Sequence, residues 1–293
     1  MSRPLVSIVT PCLNGARFIE ETLASVLAQD YPNIEYLVMD GGSTDGTLEI
    51  LARHAYRLRY CSENDGGQAD AVNRGFARTQ GEVFAFLNAD DTYLPGAVAC
   101  AVEGFERHPQ AAVIYGDAWY IDEAGRQMAR YPVEEFQPAR LERRCMICQP
   151  AAFMRREALA GCGGLDARLR YALDYDLWIR LARRHELVKI DAALANTRLH
   201  TQAKTVALQA EAMRETIEVL RRHYGYAPYN WVYGYAHQRR CGQALAIDPP
   251  RLSLASAGPA LALGLRYNWR HPWRYCRDVL ATAREGIACA VRP

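Results

Sequence analysis

Short apolar runs alternate along this chain with stretches whose apolar residues recur at helical spacing. Leu5–Thr10 reads as a strand closed by Pro11, and Phe18, Ile19, Leu23, Val26 and Leu27 predict an amphipathic helix behind it, with Asn14 as its cap. Ile34–Met39 and Arg57–Cys61 read as strands, Gly67–Arg78 as a helix and Glu82–Leu87 as a fourth strand, apolar enough to be buried on both faces. Strands alternating with helices at this spacing predict a mostly parallel central sheet wound by right-handed crossovers. Further on, the pattern predicts a helix over Pro95–His108, a strand over Ala111–Tyr115 and a hairpin from Ala118 to Tyr131 turning on Asp122–Gly125. It then predicts a helix opening near Asp174, a strand at Leu187–Ile190 and a long helix from Thr205 to Tyr224.

The unusual polar residues fall just after strands, where an open α/β sheet collects its ligands. The fourth strand breaks into Asn88-Ala89-Asp90-Asp91. Adjacent carboxylates repel unless something positive lies between them, and a divalent cation carrying a diphosphate meets that need. The same acids would also serve a solvated turn before the helix at Pro95. Asp40, at the tip of the second strand, suits the hydrogen bonds of a base or ribose, and equally a turn before Gly41-Gly42. The first loop has no G-x-G-x-x-G, and the glycine-rich loop after the second strand lacks the lysine of a P-loop. A dinucleotide dehydrogenase and a P-loop nucleotidase are therefore poor fits.

Composition narrows the class. Half of the 293 residues are hydrophobic, which excludes wholesale disorder, and a net charge of +2 gives no global pull toward nucleic acid. The charge is uneven: residues 251–293 hold seven arginines against one Asp and one Glu. Nine cysteines form no regular framework, and the N-terminus opens straight into a strand, so a reduced, cytoplasmic chain is expected. Cys145-Met146-Ile147-Cys148 has redox or zinc spacing but no second pair, and reads as buried or loop thiols. No apolar run reaches the ~18 residues of a membrane span.

Five motifs, in order, resemble those of family 2 glycosyltransferases of the GT-A fold. They are Ser7-Ile8-Val9-Thr10-Pro11, the stretch Asp40 to Thr47, Ser62 to Ala71, Leu87 to Asp91, and Leu173 to Trp178. The resemblance covers roughly residues 4–205. It implies a Rossmann-like sheet flanked by helices, and an inverting transfer of a hexose-type sugar from a UDP- or dTDP-linked donor to a hydroxyl acceptor. Polysaccharide, lipopolysaccharide or glycolipid assembly is the implied setting, and a divalent metal ion, Mn2+ or Mg2+, the implied cofactor. By the same resemblance Thr10, Pro11, Asn14, Asp40, Asp70 and Asp90 contact the nucleotide, with Asp90, Gln149 and Trp178 toward donor sugar and acceptor. Asp91 and His200 are the implied metal ligands, Asp174 the base and Asp176 a supporting or alternative acid. Asn88 departs from the family's Asp-x-Asp form.

Each role has a structural counterpart. Asp174 and Asp176 would also suit the positive end of a helix, Gln149 a buried backbone contact, and His200 a phosphate partner or a packing role. The expected organisation is a nucleotide-sugar-binding half (1–110), an acceptor-binding and catalytic half (111–225) and a helical, amphipathic extension (226–293). Residues 251–293 interleave Trp and Tyr with Arg, which suits a peripheral membrane contact at the cytoplasmic face, packing on the domain, or a homodimer. The rivals are a catalytically silent sugar-nucleotide or glycan-binding module and a sugar nucleotidyltransferase. The latter would need a Gly- and Lys/Arg-rich first loop, which Pro11-Cys12-Leu13-Asn14-Gly15 is not.

Overall fold

Strand β1 (Val6–Cys12) is buried at every position, and the sheet is laid out around it. In the computed structural model, which describes residues 3–200, 208–241 and 254–290, β2 (Ile34–Asp40) and β4 (Val83–Phe86) flank β1 in parallel, and β3 (Arg59–Ser62) extends β2. The remaining strands are β5 (Thr92–Tyr93), β6 (Ala111–Ile121), β7 (Gln127–Arg130), β8 (Ala152–Arg155) and β9 (Glu186–Arg198). The sheet order is β3-β2-β1-β4-β8-β6-β9-β5, with β7 paired to β6. The parallel character expected from the sequence holds from β3 to β4. Beyond β4 the ladders mix, β8 running antiparallel to both β4 and β6 while β6 and β9 run parallel. The order reverses direction between β1 and β4, and a crevice opens at the carboxyl ends of such a pair.

Alternation along the strands sorts side chains onto two faces. Val6, Ile8, Val38, Val83 and Ala85 join one apolar cluster with Ile19, Leu23 and Val26 of α1 (Ile19–Leu27), Leu51 of α2 (Thr47–His54), and Val98 and Phe105 of α4 (Ala97–Arg107). On the other face Val9 and Met39 meet α3 (Gln68–Ala77). Burying a side chain of this size contributes about 1.5–3 kcal/mol, so these faces hold the loops above them in place. Two short helices complete the unit, α5 (Arg156–Gly161) and α6 (Leu173–Ala182).

Several boundaries differ from the pattern reading, each for a local reason. β1 continues through Pro11 to Cys12, because its ladder with β4 ends at Val9 and the missing N–H falls beyond it. Asn14 does not cap α1, which starts at Ile19 behind Phe18. It adopts φ 52°, a left-handed conformation that Asn tolerates better than most residues. β6 and β9 run for 11 and 13 residues, well past the apolar runs. Buried polar residues interrupt those runs, notably Asp117, which pairs with Arg130 and, at 3.4 Å, Lys189.

The chain divides into two compact units. One holds the described residues through Gln137 together with Cys145–His200; the other holds Pro138–Arg144 and the described residues after His200. The second consists of α7 (Gln209–Tyr224), α8 (Tyr229–Cys241), α9 (Leu254–Tyr267) and α10 (Pro272–Ala290). Thr205–Ala207, the expected start of α7, lie outside the described residues. Ile217, Tyr226, Tyr229, Val232, Tyr233 and Tyr275 form its core. Asp278 ties α10 to Arg143 at 2.5 Å. No described helix is long and apolar enough to cross a membrane.

Gly75 shows how closely α3 sits on the sheet: a Cβ there would lie 2.5 Å from Val9 Cγ1 and 2.9 Å from Val9 Cγ2. Although alanine is the better helix former by ~1 kcal/mol, overpacking against a stiff β-branched side chain costs about 1–3 kcal/mol. Gly75→Ala is therefore expected to lower the urea midpoint without changing the unfolding slope; an unchanged or higher midpoint would mean that α3 can shift freely.

Candidate active site

Three loops meet at the carboxyl ends of β1, β2 and β3. The N–H of Asn14 donates to Ser43 Oγ at 2.7 Å, and its Oδ1 accepts from the Thr44 N–H at 2.9 Å. Asp40 is buried, and its acceptors are taken by its own surroundings. Oδ2 receives the N–H groups of Gly42 and Ser43 (3.1 and 3.0 Å) and the Ser62 hydroxyl (2.6 Å), while Ser43 Oγ donates to Oδ1. Gly42, at φ 88°, lies where a Cβ would come within 2.6 Å of Asn64 Oδ1, so the β2 and β3 loops meet without room for a side chain. Thr10 is buried with its hydroxyl 3.0 Å from Tyr36 OH, and Pro11 is buried in the strand. Asp70 accepts the Gly66 N–H (2.9 Å) and pairs with Arg74 (2.9 Å). Of the residues expected at the nucleotide, these carboxylates and hydroxyls shape the loops, and Asn14 stands exposed at the rim.

The turn after β4 is held from behind by a chain of amides. Asn88 accepts from Gln68 (2.7 Å) and donates to Asp91 Oδ2 (3.0 Å) and Gln149 Oε1 (3.3 Å), and Gln149 donates to the Phe86 carbonyl (2.6 Å). Asp91 is buried. Its Oδ1 accepts the Arg198 N–H at 3.0 Å, and Thr197 adds a side-chain hydrogen bond. Loss of water raises its pKa well above the usual carboxylate range, and the charge of Asp90 pushes the same way. Asp90 faces outward, its side chain 30% exposed, with Oδ2 2.9 Å from Nε2 of the nearly buried His200. The His200 ring leans on Phe18, and its buried Nδ1 has no hydrogen-bond partner among the described residues.

Arg198 completes the turn. Its wholly buried side chain sends Nε to the Asp90 carbonyl (2.9 Å), Nη1 to the carbonyls of Asp122 and Glu123 (3.1 Å each) and Nη2 to Glu21 at 2.5 Å. The guanidinium also lies over the Phe18 ring at 4.8 Å. One side chain thus joins the acidic turn to α1 and to the β6–β7 hairpin. The pattern reading missed it, although Thr197-Arg198-Leu199-His200 places it two positions before the expected histidine.

Asp174 lies in the first turn of α6, where its Oδ1 accepts the Tyr175 N–H at 2.8 Å. The side chain is only half-buried, yet the protein around it excludes enough water to push its pKa up to about 6, against the lowering effect of that N–H. The thiol of Cys148 lies within electrostatic range of both Asp91 and Asp174, and Cys145 within range of Asp174. Burial pushes both thiols up, so the Cys-x-x-Cys stretch adds protonated, inert side chains to this neighbourhood. Asp176 is buried and paired with Arg180 at 2.7 Å. Trp178 is also fully buried, its indole N–H without a partner among the described residues, so it lines the interior of α6 and not an open surface.

No three His, Cys, Asp or Glu side chains converge as a metal cage among the described residues. The pair that fits a cation is Asp90 with His200. The carboxylate oxygen would suit Mn2+ or Mg2+, and the imidazole nitrogen would favour the transition metal of the two.

Residues 7–162 match the sequence family described as Glycosyl transferase family 2. An uncharacterized glycosyltransferase of Rickettsia conorii is 29% identical over 213 residues, 68% of this chain and 34% of that protein. The O-antigen biosynthesis protein RfbC of Myxococcus xanthus is 35% identical over 186 residues, 61% of this chain and 14% of the relative. The chain thus spans about a third or less of the length of these two relatives. Among solved structures, S. aureus TarS 1–349 in complex with UDP-GlcNAc superposes with a TM-score of 0.60 at 18% identity, covering 90% of this chain and 81% of that one. The mannosyltransferase PcManGT from Pyrobaculum calidifontis, in complex with GDP-Man and Mn2+, gives 0.58 at 20% identity, covering 100% and 82%. The fold is that of GT-A glycosyltransferases, followed by C-terminal helices.

Truncating Arg198 would take the guanidinium donor from the carbonyls of Asp90 and Glu123, a bond to a charged donor being worth about 1.5–3 kcal/mol, while the Asp122 carbonyl would keep the Gly125 N–H. Arg198→Ala is expected to destabilise the protein by on the order of 3–5 kcal/mol, and Arg198→Lys by less, in urea unfolding followed by circular dichroism. A loss under ~1 kcal/mol in the alanine variant would show that the turn is held without it.

Proposed function

Because the chain belongs to glycosyl transferase family 2, we propose that it is an inverting glycosyltransferase, moving a hexose-type sugar from a UDP- or dTDP-linked donor to a hydroxyl acceptor. The observation that carries this reading is a pair of acidic centres of opposite character. Asp90 is open beside an imidazole at the end of β4, and Asp174 is held at a helix N-terminus with its basicity raised toward neutrality. The first suits a diphosphate-bound cation and the second a proton acceptor.

In this reading the acceptor hydroxyl attacks the anomeric carbon on the face opposite the nucleoside diphosphate. The new carbon–oxygen bond forms as the bond to the diphosphate breaks, and the hydroxyl proton passes to the Asp174 carboxylate. The α6 N-terminus keeps that carboxylate ionised near neutral pH, while desolvation keeps it basic. Asp90 and His200 would hold the metal ion, which when bound neutralises charge on the leaving diphosphate. Asp91, the expected direct ligand, already receives Arg198, Asn88 and Thr197, so we assign it to fixing the turn. Asp176, engaged with Arg180, fixes the start of α6. Asp40, Thr10, Asn14, Asp70 and Pro11 shape the nucleotide pocket, with Gln149 bracing Asn88 beneath the donor sugar. The name of the Myxococcus relative and the nucleotide sugars bound to the two solved structures support polysaccharide, lipopolysaccharide or glycolipid assembly as the setting. A lipid-linked acceptor would bring the enzyme to a membrane face.

Asp174→Asn is expected to lower turnover ~10²- to 10⁴-fold with donor affinity nearly unchanged. Since the folded-state pKa of Asp174 is raised to about 6, wild-type kcat/KM should fall as pH drops below that value and hold above it, and the Asn variant should lose this limb. An inactive Asp176→Asn beside a fully active Asp174→Asn would reverse their roles. Nucleotide binding without transfer in any acceptor mixture would favour the silent binding module.

Asp90→Asn should weaken Mn2+-dependent UDP binding in calorimetry while sparing the melting temperature. Asp91→Asn should act mainly on stability. The opposite pattern would return the cation to Asp91, and wild-type binding unaffected by chelator would remove the metal altogether.

A further inference from the structure

Helix α9 buries the wrong side chains for a helix of a water-soluble bundle. Its fully buried positions are Ser256, Ala260 and Gly264, continued by Asn268, with Leu263 and Tyr267 partly buried against the core, while Leu261 and Leu265 stand at the surface. An ordinary surface helix does the reverse, turning its large apolar residues toward the core. The orientation is firmly held. A Cβ at Gly264 would fall 1.8 Å from the Tyr275 ring and hydroxyl, Tyr275 OH donates to the Ala260 carbonyl at 2.9 Å, and Asn268 exchanges two hydrogen bonds with the Ala227 backbone. Rotating α9 to hide Leu261 and Leu265 would break all of these.

The same surface continues past the helix end. Trp269 is 68% exposed, and on α10 Trp273 (82%) and Leu280 (60%) share one face at helical spacing. Arg266, Arg270 and Arg277 are exposed among them, with Arg270 over the Trp269 ring at 5.0 Å. Asp278 is the one acid between residues 254 and 283, and it turns inward to Arg143 and the Tyr229 N–H.

We propose that this face of α9 and α10 is a membrane-binding surface that takes anionic lipid, with Trp269, Trp273 and the leucines entering the interface and the arginines meeting the headgroups. Tryptophan has an apolar body and a polar N–H suited to that depth. Neither described helix is long and apolar enough to span, so the contact lies in the plane of the surface. Charge decides against a second copy of the chain, because a two-fold contact through this patch would set arginines against arginines. The inference does not depend on the sugar-transfer reading: nucleotide binding reports on one and lipid partitioning on the other.

The test is co-sedimentation of the full chain with phosphatidylcholine vesicles, with and without phosphatidylglycerol. Wild-type protein should pellet with the anionic vesicles at low salt and be released as salt screens the arginines. At about 1 kcal/mol per arginine, replacing Arg266, Arg270 and Arg277 by Gln should lower partitioning by on the order of 100-fold. Trp269→Ala with Trp273→Ala should lower it even at low salt. All five side chains are exposed, so melting curves should match wild type and folding failure can be told apart. Protein that stays in the supernatant with anionic vesicles at low salt overturns the proposal. So does a concentration-dependent dimer, seen by sedimentation velocity, that the tryptophan substitutions abolish while vesicle binding is absent.

Discussion

A single buried guanidinium, that of Arg198, ties the acidic turn to the rest of its unit. Arginine keeps its charge under all ordinary conditions and carries five donors in a rigid fork, so burying it fixes in space every carbonyl it reaches. Here those carbonyls belong to the turn at Asp90 and to the β6–β7 hairpin, and Glu21 of α1 supplies the opposite charge. The backbone N–H of the same residue holds Asp91. A turn with two adjacent carboxylates would otherwise tend to spread apart. The charge and the backbone of Arg198 together let one acid be buried while its neighbour faces water.

That division explains how two sequence neighbours come to differ in character. Asp91 loses its water and accepts fixed donors in exchange. Asp90 keeps some of its water and gains an imidazole. A similar contrast separates Asp174 from Asp176 two residues on: the second is paired with Arg180, and the first has only backbone N–H groups, partial exposure and raised basicity. In each pair one acid is taken up by fixed partners while the other stays partly open to solvent. A carboxylate raised in this way costs stability as pH rises through its unfolded value, the cost being complete above about 6.

The helical unit shows the opposite economy. Its tyrosine-rich core is tightly locked through Asn268 and Tyr275, and that lock is what keeps Leu261, Leu265, Trp269 and Trp273 at the surface. Exposed apolar side chains in one place, spaced by arginines, are a property of the packing and cannot be inferred from composition alone.

The element order, the parallel run from β3 to β4 and the concentration of polar residues after strands were legible in the sequence, because side-chain period and turn chemistry are local properties of the chain. So were the acids themselves, since the motifs at Asp40, Asp90–Asp91 and Asp174–Asp176 stand on short, contiguous stretches. Which acid of each pair is buried was not legible. For Asp90 and Asp91 it depends on partners more than 60 residues away, such as Gln149 for Asn88 and Arg198 for Asp91; for Asp174 and Asp176, whose ion-pair partner Arg180 is only four residues on, it depends on how α6 packs. The same holds for Trp178, whose place in the interior follows from how α6 packs, and for the full length of β6 and β9, whose buried polar residues are satisfied only by neighbouring strands. Sequence sets what each residue can do; burial, charge and hydrogen-bond partners, which exist only once distant segments meet, decide what each one does.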